Sequence, residues 1–275
     1  MSPARRAWPR TAGAALITAV FLLPVYWMVA TSLKAPDKVL AVPPQWVPAP
    51  VTGANYAAAF AGGTLLRALL NSLAISCGVV ALTLLLAVPL SYAIARIRMR
   101  GSSAMVLALL IAQLLPAIVL AAPLFILEHQ AGLTNTYLGL ILADTTLTLP
   151  FAVIVLRPLF RAVPTELEEA ALVDGCGVVG ALVRVVLPVM APGLVAVAGL
   201  SSLLGWGEFV FGLTLGQSPD VQPVTVLLNS FVGRHGAAWG PLMATATVIS
   251  LPLVCVFAIF RRLVAGGLIA GSGSP

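Results

Sequence analysis

The sequence predicts an all-α membrane protein with six transmembrane helices, a single domain over 1–275. Three observations carry that expectation. Only 9% of the residues are charged and 60% are hydrophobic, where a soluble domain carries roughly 25% charge. Six apolar stretches are each long enough to cross a bilayer, which takes about 20 residues in a helix. Lys and Arg also gather in alternate connecting segments, the bias that sets orientation in a membrane.

The first span, about 12–32, lies between Arg10 and Lys34. The preceding MSPARRAWPR has the basic character of a signal-peptide start. Its apolar run from 11 to 33 outlasts the roughly 7–15 residues of such a peptide, so it reads as a retained anchor. A Pro-rich segment, APDKVLAVPPQWVPAPVTGANY, follows within 34–67. The second span, about 69–94, lies between Arg67 and Arg96, and the third, about 104–127, between Arg100 and Glu128. Gln113, Pro116 and Pro123 interrupt the third; proline kinks are tolerated where neighbouring helices satisfy the freed backbone, and a lone Gln reads more often as interhelical glue than as a solute ligand. The fourth span, about 138–160, contains Asp144. The fifth, about 188–212, carries Trp206 and Glu208, and the sixth, about 239–260, lies between His235 and Arg261. The end, AGSGSP, reads as flexible.

With the N-terminus inside, eleven basic residues fall on the inner side: Arg5, Arg6, Arg10, Arg96, Arg98, Arg100, Arg157, Arg161, Arg184, Arg261 and Arg262. Four fall outside, Lys34, Lys38, Arg67 and Arg234. That bias puts both termini in the cytoplasm. The net charge of +6 then reflects topology and anionic membrane lipid. Nucleic-acid binding would need a clustered basic face on a soluble domain, so no nucleic-acid partner is expected.

The connecting segment 162–187 stands apart. Its core, PTELEEAALVDGCG at 164–177, holds Glu166, Glu168, Glu169 and Asp174, four of the nine acidic residues in the chain. Thr165 and Glu168 have the spacing of a capping box, and acids in a first helical turn suit the macrodipole. EAALV continues the helix, and Asp174-Gly175 turns the chain. A second short helix, VVGALVRVV, leads to Leu187-Pro188. This helix–turn–helix elbow lies on the cytoplasmic side. From the residues alone it is either a capped loop that solubilises that face or a docking element for a soluble partner.

EAALVDG, nine further residues, and then Val185-Val186-Leu187-Pro188 resemble the EAA loop of binding-protein-dependent ABC importer permeases. Glu169, Ala170, Ala171, Gly175, Val185, Leu187 and Pro188 match that pattern. More of the chain is similar to the carbohydrate-type branch, especially its maltose-type subunit: TSLK at 31–34, Pro43-Pro44 with Asn55-Tyr56, NS at 71–72, YAIARIRMRG, GLTNTYLGLIL, and GWGEF at 205–209. The resemblance covers about 12–271 and implies the type I ABC importer permease fold in a bacterial cytoplasmic (inner) membrane. It implies four kinds of partner: two copies of a cytoplasmic ATPase, a second homologous permease, an extracytoplasmic solute-binding protein, and membrane lipid. Glu166, Glu168, Glu169, Ala170, Ala171, Asp174, Gly175, Leu187 and Pro188 would form the ATPase-coupling interface. Glu169 would accept a charge-assisted bond, the two alanines would permit close approach, and Gly175 would make the turn. The cargo would be a sugar or sugar-like solute. The chain departs from the family at Asp144, where an uncharged residue is expected, and at Gly207, which replaces an asparagine. Its tail keeps the Gly-Leu-x-Ala-Gly of 267–271 but lacks the usual basic ending.

No enzyme is expected in the chain. A P-loop needs a lysine after a glycine, and neither Lys34 nor Lys38 follows one. Two histidines, His129 and His235, lie in outer loops, and no metalloprotease or nucleophile-elbow motif occurs. Cys77, Cys176 and Cys255 are too scattered for a disulfide framework or a metal site. Catalytic, cofactor-binding and metal residues are therefore none, and ATP hydrolysis is expected in a separate subunit. Trp206, Glu208 and Gln113 are the candidates for the translocation path. At 1.5 Å per residue, Glu208 would sit roughly 30 Å along a helix starting near Pro188, either lining the path beside Trp206 or pairing at the outer interface. The rival functions are an ion-gradient-driven transporter and an ABC permease of a non-sugar branch.

Overall fold

The computed structural model describes residues 3–97, 99–233 and 236–271, with side chains over 11–97, 99–233 and 236–258. The side chains counted above at Arg5, Arg6, Arg10, Arg98, Arg234, His235, Arg261 and Arg262, and the end beyond Gly271, lie outside those described.

The described residues are almost wholly helical: α1 (Pro3–Ser32), α2 (Ala54–Phe60), α3 (Thr64–Arg96), α4 (Ser102–Gln113), α5 (Ala117–Gln130), α6 (Tyr137–Ala162), α7 (Thr165–Val173), α8 (Val178–Ala181), α9 (Leu187–Val189), α10 (Ala191–Gly207), α11 (Val210–Leu215), α12 (Val224–Ser230) and α13 (Trp239–Gly271). The strands β1 (Val232–Gly233) and β2 (Gly236–Ala237) pair antiparallel as a minimal ribbon. Among the described residues, four helical segments are long and apolar enough to cross a membrane: Thr11–Ser32, Ala54–Arg96, Tyr137–Ala162 and Trp239–Ala258. Two bent pairs also pass, giving up to six if each pair counts as one span.

Those bends go beyond the proline kinks expected in the third span and correct the expectation of an unbroken fifth. Ser102–Gln113 and Ala117–Gln130 meet at 101°. The break falls at Pro116, whose backbone is extended at ψ 141°; proline has no N–H to give and pushes the residue before it out of the helical region. Val178–Val189 and Ala191–Gly207 meet at 82°, with Pro192 opening the second helix of the pair. That second helix ends at Gly207, because Glu208 is extended at φ −66°, ψ 132°. The expected span 188–212 is thus three helices. Each bent pair is still apolar enough as a whole to pass as a span, so apolarity alone does not register the bend.

The chain forms two compact units, Met1–Leu66 with Leu227–Leu251, and Arg67–Val226 with Pro252–Pro275. In the first, Asn55 donates to the carbonyls of Ser32 (3.0 Å) and Lys34 (2.8 Å), satisfying acceptors left over at the end of α1. Trp46 packs edge-on to Trp27 and accepts from the Tyr26 hydroxyl at 2.7 Å. The Lys34 ammonium lies 4.0 Å from the Trp27 ring centroid, a cation–π contact for a lysine that is fully buried.

The second unit has two apolar clusters. One gathers Ile94, Leu156, Phe160, Val163, Val186 and Met190; the other gathers Ile75, Val79, Leu140, Ala143, Phe211 and Leu215. Polar side chains in the same unit bond across helices. The Thr83 and Thr148 hydroxyls are 2.6 Å apart and those of Ser76 and Ser202 are 3.1 Å apart. In hydrocarbon such pairs join helices that burial of apolar surface alone would not.

Candidate functional site

Two places in the second unit bring candidate acidic side chains into play, and each is assembled differently. The elbow comes first. α7 begins at Thr165 itself, with Pro164 as its N-cap residue and no side chain capping it. The expected capping box is therefore not formed: Thr165 lies inside the helix, where its hydroxyl cannot serve as N-cap. Glu168 is freed to reach α3 instead. Its Oε1 accepts from Arg96 Nε at 2.7 Å and lies 2.6 Å from Nη2, and its Oε2 accepts from the Tyr92 hydroxyl at 2.8 Å. Arg96 Nη2 also donates to the Val163 carbonyl at 2.7 Å. The pair is buried, with side chains 13% and 11% exposed.

The helix ends as the DG pair predicts. Gly175 is left-handed at φ +86°. Its N–H donates to the Leu172 carbonyl at 3.1 Å, and the Cys176 N–H donates to the Ala171 carbonyl at 2.9 Å. These two bonds make a Schellman cap, which glycine permits without strain. A Cβ at Gly175 would meet nothing within 4 Å, so the left-handed backbone is the reason for glycine here. The chain returns through α8 and a π-helical turn at Leu182–Val186. Ala171, Ala181, Val186 and Met190 are buried and anchor the elbow to the bundle.

The elbow's other face is open. Glu166, Glu169, Ala170, Asp174, Gly175 and Pro188 are exposed, and Leu187 is half-buried. Exposed among them stand Val173 and Val179, at 87% and 73%. Of the residues expected at the coupling interface, the structure therefore sets Glu168 and Ala171 on the anchored side. Tyr92 and Arg96, four residues apart on α3, were missed; their signal was only that spacing.

The second place is a cavity of about 290 Å³ between α6, α10 and α11, lined by Asp144, Thr148, Gly205, Gly207, Glu208 and Phe209 among others. Glu208 turns its carboxylate onto the start of α11, accepting from Phe211 N at 2.9 and 3.0 Å and from Gly212 N at 3.1 Å. A carboxylate at a helix N-terminus satisfies orphan donors and opposes the macrodipole. Its backbone carbonyl accepts from Thr225 Oγ1 at 2.6 Å. Asp144 is 4% exposed, and its Oδ1 has no hydrogen-bond partner. Trp206 is buried with its indole N–H unpartnered, and Gln113 is exposed at the end of α4; neither lines this cavity. The structure thus joins Glu208 to Asp144 rather than to Trp206 or Gln113. Among the described residues no three His, Cys, Asp or Glu converge as for a metal ion.

Helices long and apolar enough to cross a membrane, an anchored elbow with an open acidic face, and a cavity among the helices are the features of an integral membrane protein. Comparison with known proteins gives the group. The chain belongs to the family of binding-protein-dependent transport system inner membrane components, whose model matches residues 87–269. It is 31% identical to a diacetylchitobiose uptake system permease protein of Streptomyces coelicolor, over 97% of this chain and 96% of that protein. It is 33% identical to a trehalose transport system permease protein of Mycobacterium tuberculosis, over 94% of each. Among solved structures it matches a crystal structure of a bacterial ABC transporter involved in the import of the acidic polysaccharide alginate. That match has a TM-score of 0.80 and 18% identity, over 95% of this chain and 98% of that chain. The fold is that of an ABC importer permease, and the chain is a multi-pass component of the inner membrane.

Proposed function

We propose that the chain is one of two permease subunits of an ABC importer for a sugar or sugar-like solute, forming half of the path. In this reading it crosses the membrane six times with both termini in the cytoplasm, each bent pair serving as one span. The count of basic residues favours that orientation. The second permease, two copies of a separate ATPase and an extracytoplasmic binding protein complete the machine. Sugar cargo is supported by the relatives whose names specify diacetylchitobiose and trehalose.

One observation carries the coupling role. The elbow is fixed to the bundle on one side by Glu168–Arg96, while Glu169, Ala170 and Val173 are open on the other. A push on the open face would pass through a buried ion pair into α3 and through Met190 into α10. Closure of the ATPases around nucleotide would thus reorient the helices between outward- and inward-facing states, by rigid-body movement of packed elements.

Glu169→Lys tests this. The variant should insert normally and retain the Glu168–Arg96 pair, yet lose ATPase co-purification and uptake. Normal co-purification and uptake would overturn the coupling role, and uptake persisting in vesicles without any ATPase would favour an ion-driven mechanism.

A further inference from the structure

Asp144 stands out among the buried acids of the second unit. It is 4% exposed, one carboxylate oxygen is unpartnered, and it lines a cavity. An unsatisfied buried acceptor is costly, and an ionisable side chain inside a membrane bundle ordinarily serves a function. The cavity measures about 290 Å³, far beyond the roughly 10–15 Å³ one water requires. Its size fits an organic solute.

The lining sets the chemistry of that solute. Among the described residues no Lys, Arg or His contributes to it, so the ionisable groups on its wall are carboxyls, which accept hydrogen bonds when ionised. Glu208 is held rigid by the N-terminus of α11, and a carboxylate has about four lone-pair sites, so it keeps acceptor capacity. Leu147, Leu204, Phe209 and Val210 line it as well. Such a wall takes a ring with an apolar face and donors along one edge, and it repels anions. Glu128, another buried acid, does not line it.

We propose that Asp144 and Glu208 form an acceptor subsite for the solute in transit, in which the Asp144 carboxylate takes a hydrogen bond from a hydroxyl or ammonium group of the cargo. The proposal rests on reading the chain as an importer subunit for sugar-like solutes. The two donor groups are distinguishable: asparagine at 144 keeps a neutral acceptor of the same shape but loses the charge an ammonium needs.

The experiment uses the complete transporter in proteoliposomes with ATP, given labelled trehalose, diacetylchitobiose and chitobiose. Asp144→Leu should cut accumulation of the transported probe by about 10–100-fold, the range for losing a hydrogen bond to a charged group. The complex should assemble in normal yield, with its Tm equal or higher. That combination separates a solute-binding acid from a structural one, whose loss would lower Tm. Asp144→Asn should keep uptake of a hydroxyl donor and lose uptake of the ammonium-bearing chitobiose. Unchanged uptake in Asp144→Leu, or a fall in uptake that tracks a fall in Tm, overturns the subsite. Wild-type vesicles that accumulate none of the three probes overturn instead the sugar-import reading on which it stands.

Discussion

The elbow and the cavity both bury a carboxylate in the same unit, and they treat it in opposite ways. Glu168 is met by Arg96 and Tyr92, with every contact at 2.6–2.8 Å. Asp144 has an oxygen that meets nothing. A matched buried acid is part of the frame, since separating the partners strands a charge. An unmatched one contributes no bond that its loss would break. The difference teaches how to sort acids in an oily chain: the question is which group each one meets, and depth alone does not answer it.

Substitutions can break or sharpen that contrast. The largest effect is expected from Arg96→Ala, which turns the matched acid into an unmatched one. Breaking a buried pair from one side costs about 3–5 kcal/mol, so thermal unfolding of the purified transporter should shift sharply. Adding Glu168→Leu should recover much of the loss, and a double-mutant cycle measures how much. An Arg96→Ala protein as stable as wild type would show that the elbow is held by its apolar underside alone.

Gly175→Val comes next. Its side chain has room, but the left-handed backbone costs a residue with a Cβ about 1–2 kcal/mol, and Gly175→Asn should cost less. Glu208→Ala removes the carboxylate from the α11 terminus, a loss of about 0.5–2 kcal/mol by the same unfolding measurement. The smallest effect is expected from Glu166→Gln. That exposed side chain should change stability by no more than about 0.5 kcal/mol, and any loss of ATPase coupling would have to come from its role at the interface.

The elbow was largely legible in the sequence. The helix over Thr165–Val173, its acidic first turn and the Asp174-Gly175 turn all follow from short-range rules, and the structure has them. The capping box was not, because Thr165-x-x-Glu168 reports spacing and is silent about Arg96, 72 residues away. The sharpness of the bend in the third span and the break in the fifth escaped for another reason. An apolar run gives the same hydropathy whether the backbone continues or turns by 82°. Asp144 and Gly207 were both visible as departures from the family pattern. Only the fold places them on one cavity, where a side chain at 207 would meet nothing within 4 Å.

Val173 and Val179, bare on the elbow's open face, also bear on how the protein must be made. An orphan copy would hold out an adhesive tip, a target for self-aggregation and for proteolysis. Cells would do best to synthesise such a chain in step with whatever covers it, and overproduction on its own should yield far less intact material than co-expression.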